Sequence, residues 1–448
     1  MSGEHASSSG GDMPARYPRY RPSLPAAGAV PLPAARHVAL RHAGMLVLLV
    51  AVTFGQRLCF PFGSFQIPLS VPAAYFAAFL FLLSGEGRFG AASLMLYALS
   101  VAGLITTLFF DKAYISPFSL FYLIGLYAVY VVSVDLPREE WLRYLRIYQT
   151  LMVVLAVIAL LQFAGQFAGV DTAWSLFAKL PQRFVLAGYN TRPTLSYGST
   201  FLKANAEFFL EPSFVSQYMA VAIILELLFF SNWKRMVLYG AAIFASFSGT
   251  GMLLLALFAV VSAVKARRYE LFYALPVLLV FVWIFRDNPY VAAITGRVGE
   301  FEYNQSSAAM RFIGPNQILF SVLGTDFSTF LVGKGPGAVD RLVELRVGIE
   351  SNYPAIHKLL LEYGVIGTLP FLGFLLHAFF AGARSRILAA ALFMMYAILS
   401  GSLLQPHTIY LFYALSIALP ARPVERLRAH TPAFPAAPPP SSYYPARA

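Results

Sequence analysis

The stretch 147–169, IYQTLMVVLAVIALLQFAGQFAG, runs for 23 residues without an aspartate, glutamate, lysine, arginine or histidine. As a helix rising about 1.5 Å per residue it reaches about 34 Å, enough to cross a hydrocarbon core about 30 Å thick. Its apolar residues are continuous rather than alternating, which disfavours a strand of an outer-membrane barrel. Similar blocks recur at approximately 38–60, 67–83, 89–110, 115–134, 213–230, 236–248, 250–264, 271–285, 360–381, 386–404 and 408–420. Of the 448 residues, 58% are hydrophobic and only 12% charged, about half the charged share of an ordinary soluble domain. That is too little charge to solvate the surfaces of two or three soluble cores. The expected class is all-α: a polytopic helical membrane protein with about twelve transmembrane helices.

The net charge of +12 is spread over short clusters between the blocks. No long basic stripe forms, so the pattern reads as topology and anionic lipid rather than nucleic acid. The positive-inside rule puts both chain ends, Arg88, the Arg138, Arg143 and Arg146 group, Arg384 and Arg386 in the cytoplasm. The block Met236–Val264 tests that arrangement. One tilted helix would set Lys234 and Arg235 opposite Lys265, Arg267 and Arg268. Two short helices joined at Ser246–Gly251 set both clusters on one side, which the rule favours. The single cysteine, Cys59, excludes an intrachain disulfide and a Cys-based metal site and reads as an inert residue near a helix end. Residues 1–36 and 421–448 read as disordered cytoplasmic tails flanking a membrane domain over 37–420. After so long a polar leader, the first block reads as a retained anchor rather than a secretory signal.

Two long segments, about 171–211 and 286–352, then fall on the periplasmic face. Long ordered loops in compact proteins usually carry function. The first holds Lys179, Arg183, Arg192 and Lys203; the second holds Arg297, Glu300, Glu302, Arg311, Lys334, Arg341 and Arg346. Such cations either snorkel to headgroups or line a cavity for a phosphorylated lipid, where the arginine fork suits phosphate oxygens. Glu300 and Glu302 read more readily as solvated charge than as a metal-binding pair. Glu211-Pro212-Ser213 opens a span. Proline and an acid suit a helix start unaided, yet an acid at the membrane boundary is also placed to orient a sugar hydroxyl or a cation. The Ser246–Gly251 turn, with Ser248, is either a plain helical hairpin or a seat for an anion on the amides that open the second helix. His357 precedes a span. An imidazole with an ordinary pKa of about 6.5 suits a general base, though a lone interfacial histidine is also commonly structural. No partner stands at metal-ligand spacing from it, and no metal is expected.

Taken in order, Ser307-x-x-x-Arg311, Val332-Gly333-Lys334-Gly335-Pro336-Gly337, and His357 followed by Leu359-Leu-Leu-Glu362-Tyr-Gly364-Val-Ile-Gly367 form a pattern. This pattern resembles the C-terminal signature of the O-antigen polymerase and O-antigen ligase superfamily. The Ser246-x-Ser248-Gly249-Thr250-Gly251 turn resembles a family turn at the same place, and Phe208-x-x-Glu211-Pro212-Ser213 resembles exopolysaccharide polymerases more than ligases. The resemblance covers about residues 200–405. Lys358 stands where the family usually has Asn, and Gly249 where many members have Arg.

The resemblance implies a metal-independent, cofactor-free glycosyl transfer from an undecaprenyl-pyrophosphate-linked oligosaccharide, in a bacterial inner membrane. Such a reaction needs a base for the acceptor hydroxyl and fixed positive charge for the departing pyrophosphate. On this reading His357, Arg311 and Glu211 are the catalytic candidates. Arg183, Arg192, Arg297, Lys203, Lys358 and Ser248 are the substrate-binding candidates. The partners expected are the lipid-linked oligosaccharide, membrane lipid, a flippase and a chain-length regulator. The rivals are an O-antigen ligase acting on lipid A core, a metal-dependent glycosyltransferase and a lipid-linked oligosaccharide transporter. The loop at about 57–66 lacks the acid that a metal-dependent enzyme of this kind usually carries, and no repeated halves of a transporter are visible.

Overall fold

The computed structural model describes residues 32–417 except 64, 111–114, 135, 170–174, 192, 196–198, 267–279, 281–282, 285–312, 325, 348–352 and 400–402. The chain is mostly helical. The first helices are α1 (Leu32–Thr53), α2 (Ser70–Leu83), α3 (Ala91–Thr106), α4 (Pro117–Ala128), α5 (Arg138–Gly165), α6 (Pro212–Leu225), α7 (Trp233–Ser246) and α8 (Gly249–Ala266). They are followed by α9 (Gly314–Leu323), α10 (Phe327–Val332), α11 (Ala338–Val347), α12 (Ala355–Phe380), α13 (Arg386–Met394) and α14 (Pro406–Phe412). The described residues also form two antiparallel pairs: β1 (Cys59–Phe62) with β2 (Phe65–Pro68), and β3 (Gly87–Phe89) with β4 (Val132–Val134).

Among the described residues, five helices are long and apolar enough to cross a membrane: Arg36–Thr53, Ala91–Phe109, Arg138–Ala168, Pro212–Phe230 and Ala355–Phe380. Ser70–Leu83, Pro117–Val131, Gly249–Ala263 and Arg386–Leu399 are shorter apolar helices. The expected twelve full crossings are therefore not all present among the described residues. Most of the block at 271–285 lies outside them. The blocks at 38–60 and 67–83 are cut back because Pro61 and Pro68, ill-suited to helix interiors, sit in the β1–β2 hairpin. That leaves α2 with 14 residues, about 21 Å.

The 236–264 region is two helices. α7 ends at Phe247 in a left-handed conformation (φ +46°) and α8 starts two residues later. A Cβ on Gly251 would meet the Ser216 carbonyl oxygen at 2.1 Å, so this glycine lets the head of α8 lie directly on α6.

Successive helices run up and down, so the connections gather at two ends. At one end Gln66 Nε2 donates to the Val185 carbonyl at 3.1 Å, and Ser116 N–H to that of Pro336 at 2.9 Å. There Ala204 N–H also donates to the Ala245 carbonyl at 3.1 Å. Both long segments, as far as they are described, belong to this loop-rich end. At the opposite end β3 pairs with β4, and buried Arg41 of α1 is gripped by Glu86 at 3.2 Å and by Glu140 of α5. Between the ends, buried tyrosines tie helix to helix. The Tyr127 and Tyr396 hydroxyls meet at 2.6 Å, Tyr130 donates to the Ile409 carbonyl at 2.6 Å, and Tyr239 donates to Gln149 Oε1 at 2.6 Å. Phenols serve here because an apolar interior offers their hydroxyls no water.

One knot at the loop-rich end is ionic. Buried Arg57 donates to the Glu207 carbonyl at 3.0 Å and lies 3.4 Å from its carboxylate, with its guanidinium 4.3 Å from the Phe177 ring centre. Ser175 closes the group by donating to the same carboxylate. Ala206 and Glu207 both take positive φ, +51° and +61°, a strain that the surrounding bonds must outweigh. Arg57→Ala leaves that carboxylate buried without its partner and should cost about 3–5 kcal/mol, read as a lower unfolding midpoint in detergent.

Candidate functional site

The two glycine motifs interlock. Helix α12 breaks at Gly364 (φ +58°, ψ −163°), and the break frees carbonyls that an unbroken helix would use. Lys334 N–H donates to the Leu361 carbonyl at 2.8 Å and Gly335 N–H to that of Glu362 at 2.9 Å. The approach is backbone on backbone. A Cβ on Gly333 (φ +69°) would lie 2.6 Å from the Glu362 backbone, and one on Gly364 would lie 2.4 Å from that of Leu331. Only glycine allows both the dihedrals and the contact.

The segment before this lock is preorganised by Asp326. Its carboxylate accepts the Thr329 and Ser328 hydroxyls at 2.7 and 2.9 Å and caps α10 through the Ser328 amide at 2.6 Å. Those bonds, the Thr329 hydroxyl foremost, hold the Asp326 carboxyl down to about 2. Lys334 Nζ donates to Thr329 Oγ1 at 3.0 Å, so this lysine serves the lock.

Above the break, the first turns of α12 carry His357 and Lys358. Lys358 is buried, with Nζ 2.8 and 3.0 Å from the Asp340 carboxylate oxygens and 3.8 Å from Glu362. The charge at Lys358, predicted as a phosphate ligand, is thus already met by two carboxylates of the chain. It ties α11 to α12 beside the lock. Lys358→Met should strand buried Glu362 and cost about 3–5 kcal/mol. Adding Glu362→Gln should recover part of that loss in the same unfolding measurement.

His357 is half-buried, and its Nε2 lies 3.0 Å from Asn316 Oδ1 on α9. With that oxygen accepting, the ring proton sits on Nε2 and the lone pair on Nδ1. Nδ1 is shielded from solvent and has no hydrogen-bond partner among the described residues. The arrangement suits a proton acceptor whose tautomer is fixed from behind.

A second group forms where α6 and α8 begin. Glu211 precedes α6 in extended conformation and accepts the Ser213 hydroxyl at 3.0 Å. Thr250 Oγ1 donates to the Ser213 carbonyl at 3.2 Å and lies 3.1 Å from the Ser248 hydroxyl. Glu211 and Ser248 therefore belong to one polar patch. The Gly251 amide is already taken by Ser216 Oγ at 2.9 Å, so that amide is not open to an anion. Burial and the nearby Glu211 carboxylate push the Tyr189 phenol up. Tyr189 lies near Tyr122 of α4, and the Ser116 amide heading α4 holds Pro336, so α4 stands between the two groups.

Of the remaining candidates, Arg183 and Lys203 are described. Arg183 is exposed, its guanidinium 5.0 Å from the Phe184 ring centre, and Lys203 is half-buried. Arg192, Arg297 and Arg311, with Ser307, Glu300 and Glu302, lie outside the described residues. Asn316 and Asp340 were not singled out from sequence. Nothing in their spacing marks them, since their partners stand 41 and 18 residues away. Gln405, His407 and Thr408 were not singled out either, although three polar residues around Pro406 at the head of an apolar block are a visible signal. No protein-family model matches the chain, and no curated protein is significantly similar to it.

Proposed function

We propose that the protein is a polysaccharide polymerase. It moves a growing glycan from undecaprenyl pyrophosphate onto a lipid-linked repeat unit, at the periplasmic face of a bacterial inner membrane. In this reading about twelve spans leave both termini in the cytoplasm, and the reaction needs neither metal nor cofactor. The observation that carries it is the interlock of the Gly333–Gly337 stretch with the Glu362–Gly364 break, in the helix turn that follows His357. The glycine stretch and the break at Gly364, two of the elements that resemble a polymerase signature, thus form one unit.

The acceptor hydroxyl oxygen attacks the anomeric carbon, and the bond from that carbon to the phosphate oxygen breaks. Undecaprenyl pyrophosphate leaves with the electron pair, and the hydroxyl proton passes to Nδ1 of His357. Arg311, with Arg297, Arg192 and Arg183, offsets the charge that builds on the leaving group. Glu211 orients the sugar at the patch it shares with Ser248. A flippase delivering repeat units and a chain-length regulator are the partners this activity requires.

Analysis of lipid-linked glycans in a deletion strain tests the reading. Loss of every chain beyond one repeat is the expected result. Long chains accumulating on the undecaprenyl carrier would mark an O-antigen ligase instead, and unpolymerised repeats trapped on the cytoplasmic face a transporter. Elongation by the purified protein should also survive EDTA.

A further inference from the structure

The interior where α14 begins holds more polar groups than it satisfies. Gln405, His407 and Thr408 are each 1% exposed, as is Gln217 of α6 and Gln56 just beyond α1. Both ring nitrogens of His407, both amide atoms of Gln405, Gln56 Oε1 and Gln217 Oε1 have no hydrogen-bond partner among the described residues. His407, Thr408 and Gln56 meet at Tyr218, which neighbours Gln217 in the chain. The Tyr218 hydroxyl donates to the His407 carbonyl at 3.0 Å, with the Thr408 and Gln56 side chains beside it. The Phe214 ring meets the His407 ring edge-on at 4.5 Å. Gln405 precedes α14 yet makes no side-chain cap bond, so the helix start does not account for it.

An unsatisfied buried polar group costs about 1–3 kcal/mol, and lipid around the bundle cannot supply the missing bonds. So many together require something that hydrogen-bonds with them. The groups are neutral and offer donors and acceptors in mixture. A hydroxyl, which is both, matches them; a phosphate only accepts and calls for a cation. No lysine or arginine is among them, while Phe214 and Tyr218 supply ring surface for the apolar side of a sugar.

We propose that this interior, between α1, α6 and the head of α14, is a binding site for an uncharged sugar unit. Glu211, in the patch at the loop-rich end, directly precedes the helix that carries Phe214 and Gln217. The choice of a sugar rests on the polymerase reading. The existence of a hydrogen-bonding site does not.

The test uses the full chain in membrane vesicles with Cys59→Ser, carrying either Gln405→Cys or Thr408→Cys. A small water-soluble methanethiosulfonate should label both positions. Lipid-linked oligosaccharide extracted from the producing cells should slow labelling about tenfold, as expected for a ligand near saturation. Undecaprenyl pyrophosphate without sugar should not slow it. Absence of labelling at both positions would show a sealed, dry interior and overturn the site. Equal protection by the bare carrier, or labelling that no glycan slows, would overturn the sugar assignment. If neither cysteine variant inserts, native mass spectrometry of wild-type protein decides. It should retain the oligosaccharide about tenfold more tightly than His407→Asn does, and equal affinity would overturn the proposal. Protection without elongation by purified protein would sink the polymerase reading and leave the site standing.

Discussion

Gly364→Ala should leave little folded protein in the membrane. The dihedrals at 364 lie in a region that is essentially reserved for glycine, and the added carbon would stand 2.4 Å from the Leu331 backbone. Relief requires pulling α10 away from α12, which breaks the bonds from Lys334 and Gly335 to the carbonyls at 361 and 362. Strain and lost bonds together should cost about 4 kcal/mol or more, the range reserved for a few severe mechanisms. Gly125→Ala in α4 is the control, since nothing lies within 4 Å of its added carbon; it should fall within about 0.5 kcal/mol of wild type. Unfolding midpoints in detergent and the monodisperse yield from membranes measure both. A Gly364→Ala protein that melts with wild type would mean that the interlock does not hold α12 in shape.

His357→Ala should insert and fold normally, because the ring is half-buried and bonded only through Asn316 among the described residues. Elongation of lipid-linked repeats should nevertheless fall about 100- to 10,000-fold, the usual contribution of a positioned general base. Asn316→Leu should produce a smaller loss, about tenfold, because the imidazole survives but its tautomer and angle are freed. Restoring the oxygen with Asn316→Asp should recover part of it. Purified His357→Ala protein that elongates at the wild-type rate would remove the base assignment.

The helices were legible because apolar blocks are long and carry few charges, a signal that depends on no neighbour. The α7–α8 break was legible too, from Gly249, Gly251 and the basic clusters on either side. Helix ends were less so. Where α1 gives way to the β1–β2 hairpin, an apolar run containing Cys59, Phe60 and Phe62 continues past Thr53, and hydropathy does not distinguish helix from hairpin. Of the site, the glycines and His357 could be read, since each has a local signature. The fate of Lys358 could not. A lysine looks equally cationic whether it awaits a phosphate or is matched by Asp340 from another helix, and only the fold brings that acid within 2.8 Å. Arg57 and Glu207 escaped notice for the same reason, with 150 residues between them.

The grip on Arg41 at the far end has a mechanical consequence. A single guanidinium, 4% exposed, joins α1 to the chain beyond α2 and to the start of α5, and sliding these segments lengthwise would separate buried charges at high cost. Tilting about that pivot keeps the contacts intact. Displacement would grow with distance from it, and at the other end of α1 the Arg57–Glu207 pair opposes it, so buried charge pins this helix at both ends.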